Sequence, residues 1–300
     1  MEILSMDQTI QSVIQTIRSS ALPDPIKHWL TEKERVQSQK ALFLCFAQAL
    51  VPGFGGIDKS CQIKLNTLVY LGASGIYEAD KVYDIQVQGL AIQTPLIQSH
   101  FCLVESQRIL SRLFEEEAPF WNTYYQRYWN HFQELTQSKC INQRLDFHEY
   151  KNLLRHKYAL LYLVADILHH LSDCQYVDHY ERLNETLEWF TIGYNIPNEI
   201  RGLKTDLDTQ VNNYAWWRLL EILPEYGINA GELSSEELHK MVYFTGLAER
   251  MLEESLQAFH KAKECVRPLG LNLFEGLIDA RMLRNKKEMD ILHEELASVF

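Results

Sequence analysis

Punctuation is scarce in this sequence. Only 13 glycines and 8 prolines interrupt 300 residues, too few for a loop-rich or repetitive chain, so the sequence predicts helices. Long apolar runs are missing too. The longest, YALLYLVA at 158–165, falls far short of the ~20 residues that a membrane-spanning helix needs. The N-terminus, MEILSMDQTIQ, has no basic segment leading into an apolar stretch, which predicts a cytoplasmic protein without a secretory signal. The six cysteines are scattered and form no CxxC pair, so neither zinc-site spacing nor a disulfide framework is visible. Basic residues are outnumbered, 29 Lys and Arg against 40 Asp and Glu. The net charge of −11 argues against nucleic acid or an anionic membrane as partner, since both need a basic surface. An acidic chain can still hold an anionic small molecule where divalent cations bridge the two.

Helical periodicity dominates what is present. It predicts helices over 6–19, 25–50, 60–90, 94–116, 119–137, 146–172, 177–209, 212–226, 235–265 and 272–297. Breakers such as LPDP (22–25), VPGFGG (51–56) and RPLG (267–270) separate them. No repeat, low-complexity tract or long linker divides the chain, so the expectation is a single all-α domain over 1–300. The stretch 153–171 is apolar nearly all the way round, which predicts a helix buried on most sides. Small residues at 72–75 imply close helix approach or room for a ligand.

Two polar patterns stand out. In EADKVYD, Asp80 and Asp84 lie one helical turn apart, a spacing that suits a hard cation. In IPNEIRGLKTDLDT, Asn198, Gly202 and Asp206 follow one another at intervals of four, offering oxygen ligands with a gap between them. The same spacings also describe solvated helix faces. A third element, RHKYALL, places Arg155 and Lys157 directly ahead of the apolar helix.

Together these elements resemble the class I isoprenoid (terpene) synthase superfamily, over roughly residues 60–220. NEIRGLKTD keeps the spacing of the second metal motif of terpene cyclases, with Glu199, Gly202 and Asp206 substituted. Through Asn198, Arg201 and Asp206 it is also similar to a region of squalene and phytoene synthases. The resemblance implies a helical bundle around a central apolar cavity, and it is compatible with a homodimer. It implies Mg²⁺ as cofactor, three ions held by Asp80, Asp84, Asn198 and Asp206. Arg155, Lys157 and Arg201 become candidate diphosphate contacts, and Ala73, Tyr77, Thr191 and Tyr194 candidate cavity wall. The activity implied is ionisation of an allylic prenyl diphosphate followed by cyclisation or quenching of the carbocation.

Departures from the family's pattern keep alternatives open. The first motif is DxxxD rather than DDxxD, Gly202 supplies no hydroxyl ligand, and Pro197 must kink its helix or sit near its start. One alternative is a prenyltransferase of the same fold, although no arginine follows Asp84 until Arg108. Another is a non-catalytic isoprenoid-binding protein. A third is a di-iron bundle built on Asp166–His169 and Asp290–His293, with Glu105 and Glu134 as available carboxylates.

Overall fold

Local signals set several helix starts. Ser5, Asp146 and Ser234 each accept a hydrogen bond from the backbone N–H three residues on. Gln8, Glu149 and Glu237 accept one in return from the cap N–H, so two orphan donors are satisfied at each end. The structure, a computed structural model, describes residues 5–39, 43–55, 57–83, 89–137 and 144–299. Among the described residues there is no strand, and none of the helices is long and apolar enough to cross a membrane.

The helices are α1 (Met6–Ser19), α2 (Asp24–Leu30), α3 (Lys33–Gln39), α4 (Phe46–Leu50), α5 (Lys59–Tyr83), α6 (Gln93–Leu110) and α7 (Phe120–Gln137). They continue as α8 (Phe147–Lys157), α9 (Ala159–Leu171), α10 (Val177–Asp208), α11 (Tyr214–Ile222), α12 (Ser235–Phe244), α13 (Leu247–Val266) and α14 (Asn272–Val299). The all-α expectation is met, and three predicted helices are subdivided. Residues 25–50 break first at Thr31, whose hydroxyl and N–H both turn back onto the Lys27 carbonyl. Residues 146–172 break at Tyr158, where φ −99° and ψ 19° end α8. Residues 235–265 break at Gly246, which adopts φ 69°, a left-handed conformation that glycine takes at no steric cost.

Contacts sort the chain into two compact units, each built from segments distant in sequence. The first comprises residues 1–123, 164–180 and 270–277. In it α5 packs on α6 closely: a Cβ at Gly75 would come within 2.9 Å of Leu103 and 3.1 Å of the Ser99 carbonyl. The small-residue run thus serves close approach at Gly75. Phe46 and Phe274 meet edge to face in the core of this unit, with ring centroids 5.8 Å apart.

The second unit comprises residues 124–163, 181–269 and 278–300. Its core includes Ile196, Leu203, Leu219, Val242 and Met251, and the rings of Tyr150 and Tyr214 stack at 4.1 Å. Pro197 lies well inside α10, where it cannot donate to the carbonyl of Gly193. That carbonyl instead accepts from the Ser255 hydroxyl at 2.6 Å, and Ser255 in turn accepts from the Asn285 amide at 2.6 Å. Gly193 makes this possible, since a Cβ there would sit 2.9 Å from the Phe259 ring.

Candidate functional site

The polar side chains of α10 divide between two faces of the helix. Asn195, Glu199, Gly202 and Asp206 follow the 3.6-residue repeat and fall within roughly 60° of arc. The intervals of four from Asn198 to Asp206 drift, putting those two about 80° apart. The structure accordingly gives them separate partners. Asn198 is exposed and its Oδ1 accepts from Arg201 at 2.6 Å. The Asp206 carboxylate accepts from Asn213 Nδ2 at 2.7 Å and folds back over Gly202, 3.0 Å from where a Cβ would stand.

Around Asn195 and Glu199 the network is buried and dense. Asn195 Oδ1 accepts from the Tyr158 hydroxyl at 2.7 Å, and its amide donates to Tyr150 and to Glu199. Glu199 also accepts from the Tyr214 N–H at 2.8 Å. Burial raises the Glu199 carboxyl above the ordinary glutamate value, while Lys157 and the Tyr214 N–H oppose the rise.

Lys157 ends α8 beside this network. Its side chain is exposed to solvent, yet the ammonium lies deep enough for burial to disfavour its charge. Tyr158 and the carboxylates of Glu199, Glu134 and Asp206 outweigh burial and hold its pKa above the usual lysine value. His131 steadies the turn by donating from Nδ1 to the Lys157 carbonyl at 3.2 Å.

The remaining sequence candidates are placed as follows. Arg155 donates from Nε to Glu188 at 2.7 Å, and Lys151 pairs with the same carboxylate. Arg201 pairs with Glu288 at 2.7 Å. Thr191 is buried and donates to the Glu188 carbonyl at 3.0 Å, while Tyr194 is half-buried with Phe190 and Tyr158 around its ring. In the other unit, Ala73 and Asp80 are half-buried on α5, and Tyr77 is 54% exposed with Lys81 over its ring. Asp84 lies outside the described residues. Beside Asp80, Glu78 is buried and pairs with Lys81 at 2.8 Å and Arg35 at 3.4 Å.

No group of three or more His, Cys, Asp or Glu converges as a metal site among the described residues. As folded, the α10 donor set does not fit an ion. Asn198 and Asp206 point to different partners, each accepts from an N–H donor, and Gly202 contributes no ligand. Asn195, Asn213, Tyr150 and Tyr158 belong to the network but escape the sequence reading. The signal for Asn195 was present in its spacing to Glu199, Gly202 and Asp206. Nothing local marks the other three, which reach the network from other elements.

No family model matches the sequence, and comparison with curated proteins gives no match. Solved structures do match. Heptaprenyl diphosphate synthase from Staphylococcus aureus aligns with TM-score 0.72 at 11% identity, covering 95% of this chain and 100% of that one. The chain has the isoprenyl diphosphate synthase fold. A polyprenyl synthase from Caulobacter crescentus CB15, complexed with calcium and isoprenyl diphosphate, gives TM-score 0.68 at 11% identity over 94% and 98% of the two chains. Decaprenyl diphosphate synthase from Rhodobacter capsulatus gives 0.66 at 12% over 93% and 96%.

Proposed function

We propose that this chain is a prenyltransferase acting on an allylic prenyl diphosphate with Mg²⁺, in place of the cyclase that the sequence motifs resemble. The observation that carries this reading is the near end-to-end likeness to prenyl diphosphate synthases, 95% of one chain on 100% of the other. In the reaction, the allylic C–O bond breaks and its electron pair leaves with the diphosphate. A carbon–carbon bond then forms to the double bond of a second isoprenoid diphosphate, which gives up a proton.

Asp80 and Asp84 are the proposed Mg²⁺ ligands. The ion would act as Lewis acid on the leaving diphosphate. Lys157 is the proposed diphosphate contact of the second unit. Its positive charge is favoured by Glu199, Glu134 and Asp206, and Asp206 is one of the residues that the motif resemblance makes a metal ligand. Arg155 and Arg201 already hold carboxylate partners and are not carried forward in that role. We take 1–300 to work as one domain.

Incubation with C10, C15 and C20 allylic diphosphates, Mg²⁺ and a C5 homoallylic diphosphate tests the reading by mass spectrometry. Elongated products that require the C5 partner are expected, and Lys157→Met should lower turnover by about 100-fold. Hydrocarbon or alcohol formed without the C5 partner would instead establish the cyclase. A second reading, a non-catalytic isoprenoid-binding protein, is favoured by the already bonded oxygens of Asn198 and Asp206. It predicts stabilisation by a prenyl diphosphate with no turnover of any of these substrates.

A further inference from the structure

Lys157 ends α8, and the way the chain leaves that helix decides where its ammonium stands. In an unbroken helix the Lys157 carbonyl would accept from the N–H of Leu161, four residues on. Here the Leu161 N–H donates to the Tyr158 carbonyl at 2.8 Å, and the Lys157 carbonyl bonds His131 of α7 at 3.2 Å. His131 is buried, and burial lowers its pKa below the ordinary histidine value. The side chain of Tyr158 supplies a second anchor. Its hydroxyl donates to Asn195 Oδ1 of α10 at 2.7 Å, and its ring meets Tyr194 edge to face, centroids 6.0 Å apart. Burial pushes the hydroxyl pKa above the ordinary tyrosine value, against the opposing charge of Lys157, so the group stays a donor. Asn195 is 0% exposed and fully engaged: its amide donates to the Tyr150 hydroxyl of α8 at 3.1 Å and to Glu199 on α10. One side chain thus ties the first turn of α8, the α8–α9 junction and α10 together.

Resting on the reading of Lys157 as the diphosphate contact, we infer that Asn195 is a positioning residue, which acts through Tyr158 to set where the Lys157 ammonium stands. A lysine carries its charge on a flexible four-carbon stem, so the side chain does not fix its own ammonium. The backbone it springs from must therefore be held, and the Tyr158–Asn195 bond holds it from the side opposite His131's grip on the carbonyl. Displacing a reacting group by about 1 Å costs up to about 100-fold in rate.

A double-mutant cycle in steady-state kinetics of the full chain, with the allylic and C5 homoallylic diphosphates named above, tests the inference. Tyr158→Phe keeps the ring and removes only the hydroxyl. It is expected to lower kcat about tenfold with KM nearly unchanged, and to cost nothing further in K157M/Y158F beyond Lys157→Met alone. Ser255→Ala, which weakens the support of α10 at Gly193, should leave kcat unchanged, so lost stability alone does not mimic the effect. A readout independent of turnover is the rate at which acetic anhydride acetylates Lys157, followed by mass spectrometry. It should rise relative to the other lysines in Tyr158→Phe and stay constant in Ser255→Ala. Should Tyr158→Phe melt early, Asn195→Ser, too short to reach the hydroxyl, carries both measurements. Losses that multiply in the double variant, an unchanged kcat in Tyr158→Phe, or an unchanged acetylation rate would each overturn the positioning role. A native chain that turns over none of the diphosphates would sink the prenyltransferase reading instead, and acetylation alone would then decide whether Asn195 holds Lys157.

Discussion

Gly193 and Phe259 show how one atom can be decisive. Phe259 is 1% exposed, so its ring has nowhere to move, and an added Cβ would stand 2.9 Å from it. Gly193→Ala should therefore cost about 1–3 kcal/mol, read as a lowered denaturation midpoint without a changed slope. At the same scale, two glutamates of α10 titrate in opposite directions. Burial disfavours the Glu188 charge, but hydrogen bonds from Lys151 and Arg155 outweigh it and lower its pKa. A lowered carboxyl stabilises the fold above the unfolded value, about 4.3, and loses that contribution as pH falls through the folded one. Glu199, raised by burial, does the reverse: its contribution is complete below about 4.3 and is lost as pH rises through the folded value. Stability measured against pH should fall less steeply on the acid side in Glu188→Gln. In Glu199→Gln the decline above about pH 4.3 should flatten instead.

At the scale of elements, α10 tolerates a proline because another helix supplies the missing donor. An interior proline costs about 3 kcal/mol where nothing compensates it. Here Ser255 of α13 bonds the stranded Gly193 carbonyl, and Asn285 of α14 bonds Ser255. Ser255→Ala should cost about 1–3 kcal/mol in the native background. It should cost less on the Pro197→Ala background, where the new N–H reaches Gly193 itself; a double-mutant cycle in denaturant measures that coupling. Equal costs on both backgrounds would reject the compensation. The break at Tyr158 has a similar origin. Its neighbours are good helix formers, and the residue leaves the helix where its hydroxyl reaches the buried Asn195 amide.

For the whole molecule, the chain passes between its two units at five points, and four of them fall inside α7, α9, α10 and α14. No flexible linker lies at those crossings, so neither unit has a contiguous sequence of its own. One cooperative calorimetric transition is expected, with calorimetric and van't Hoff enthalpies equal. Two resolved transitions would reject the single-domain proposal.

How much of this was legible depended on which physical term decided each feature. The presence of most helices was readable because it rests on local terms, such as the cap at Ser234, breakers at LPDP and RPLG and scarce glycine between, whereas the breaks at Thr31, Tyr158 and Gly246 were not. The ends of α1, predicted at 6 and 19, fall at Met6 and Ser19. The polar stripe on α10 was only half legible. Counting in fours joined Asn198 to Asp206, whereas the true repeat of 3.6 joins Asp206 to Glu199 and Asn195.

Sequence alone determined that the chain is helical, that it is acidic, and the angles between side chains along each helix, because all three follow from composition and local backbone geometry. Only the tertiary structure decided which way α10 is turned. Its rotation is set by what packs around it: Phe259 on Gly193, Ser255 on the Gly193 carbonyl, Tyr158 on Asn195 and Tyr214 on Glu199. Those contacts come from other elements, and they put Asn198 and Arg201 beside Arg281 and Arg284 of α14 and leave Glu199 and Asp206 to act on the charge of Lys157.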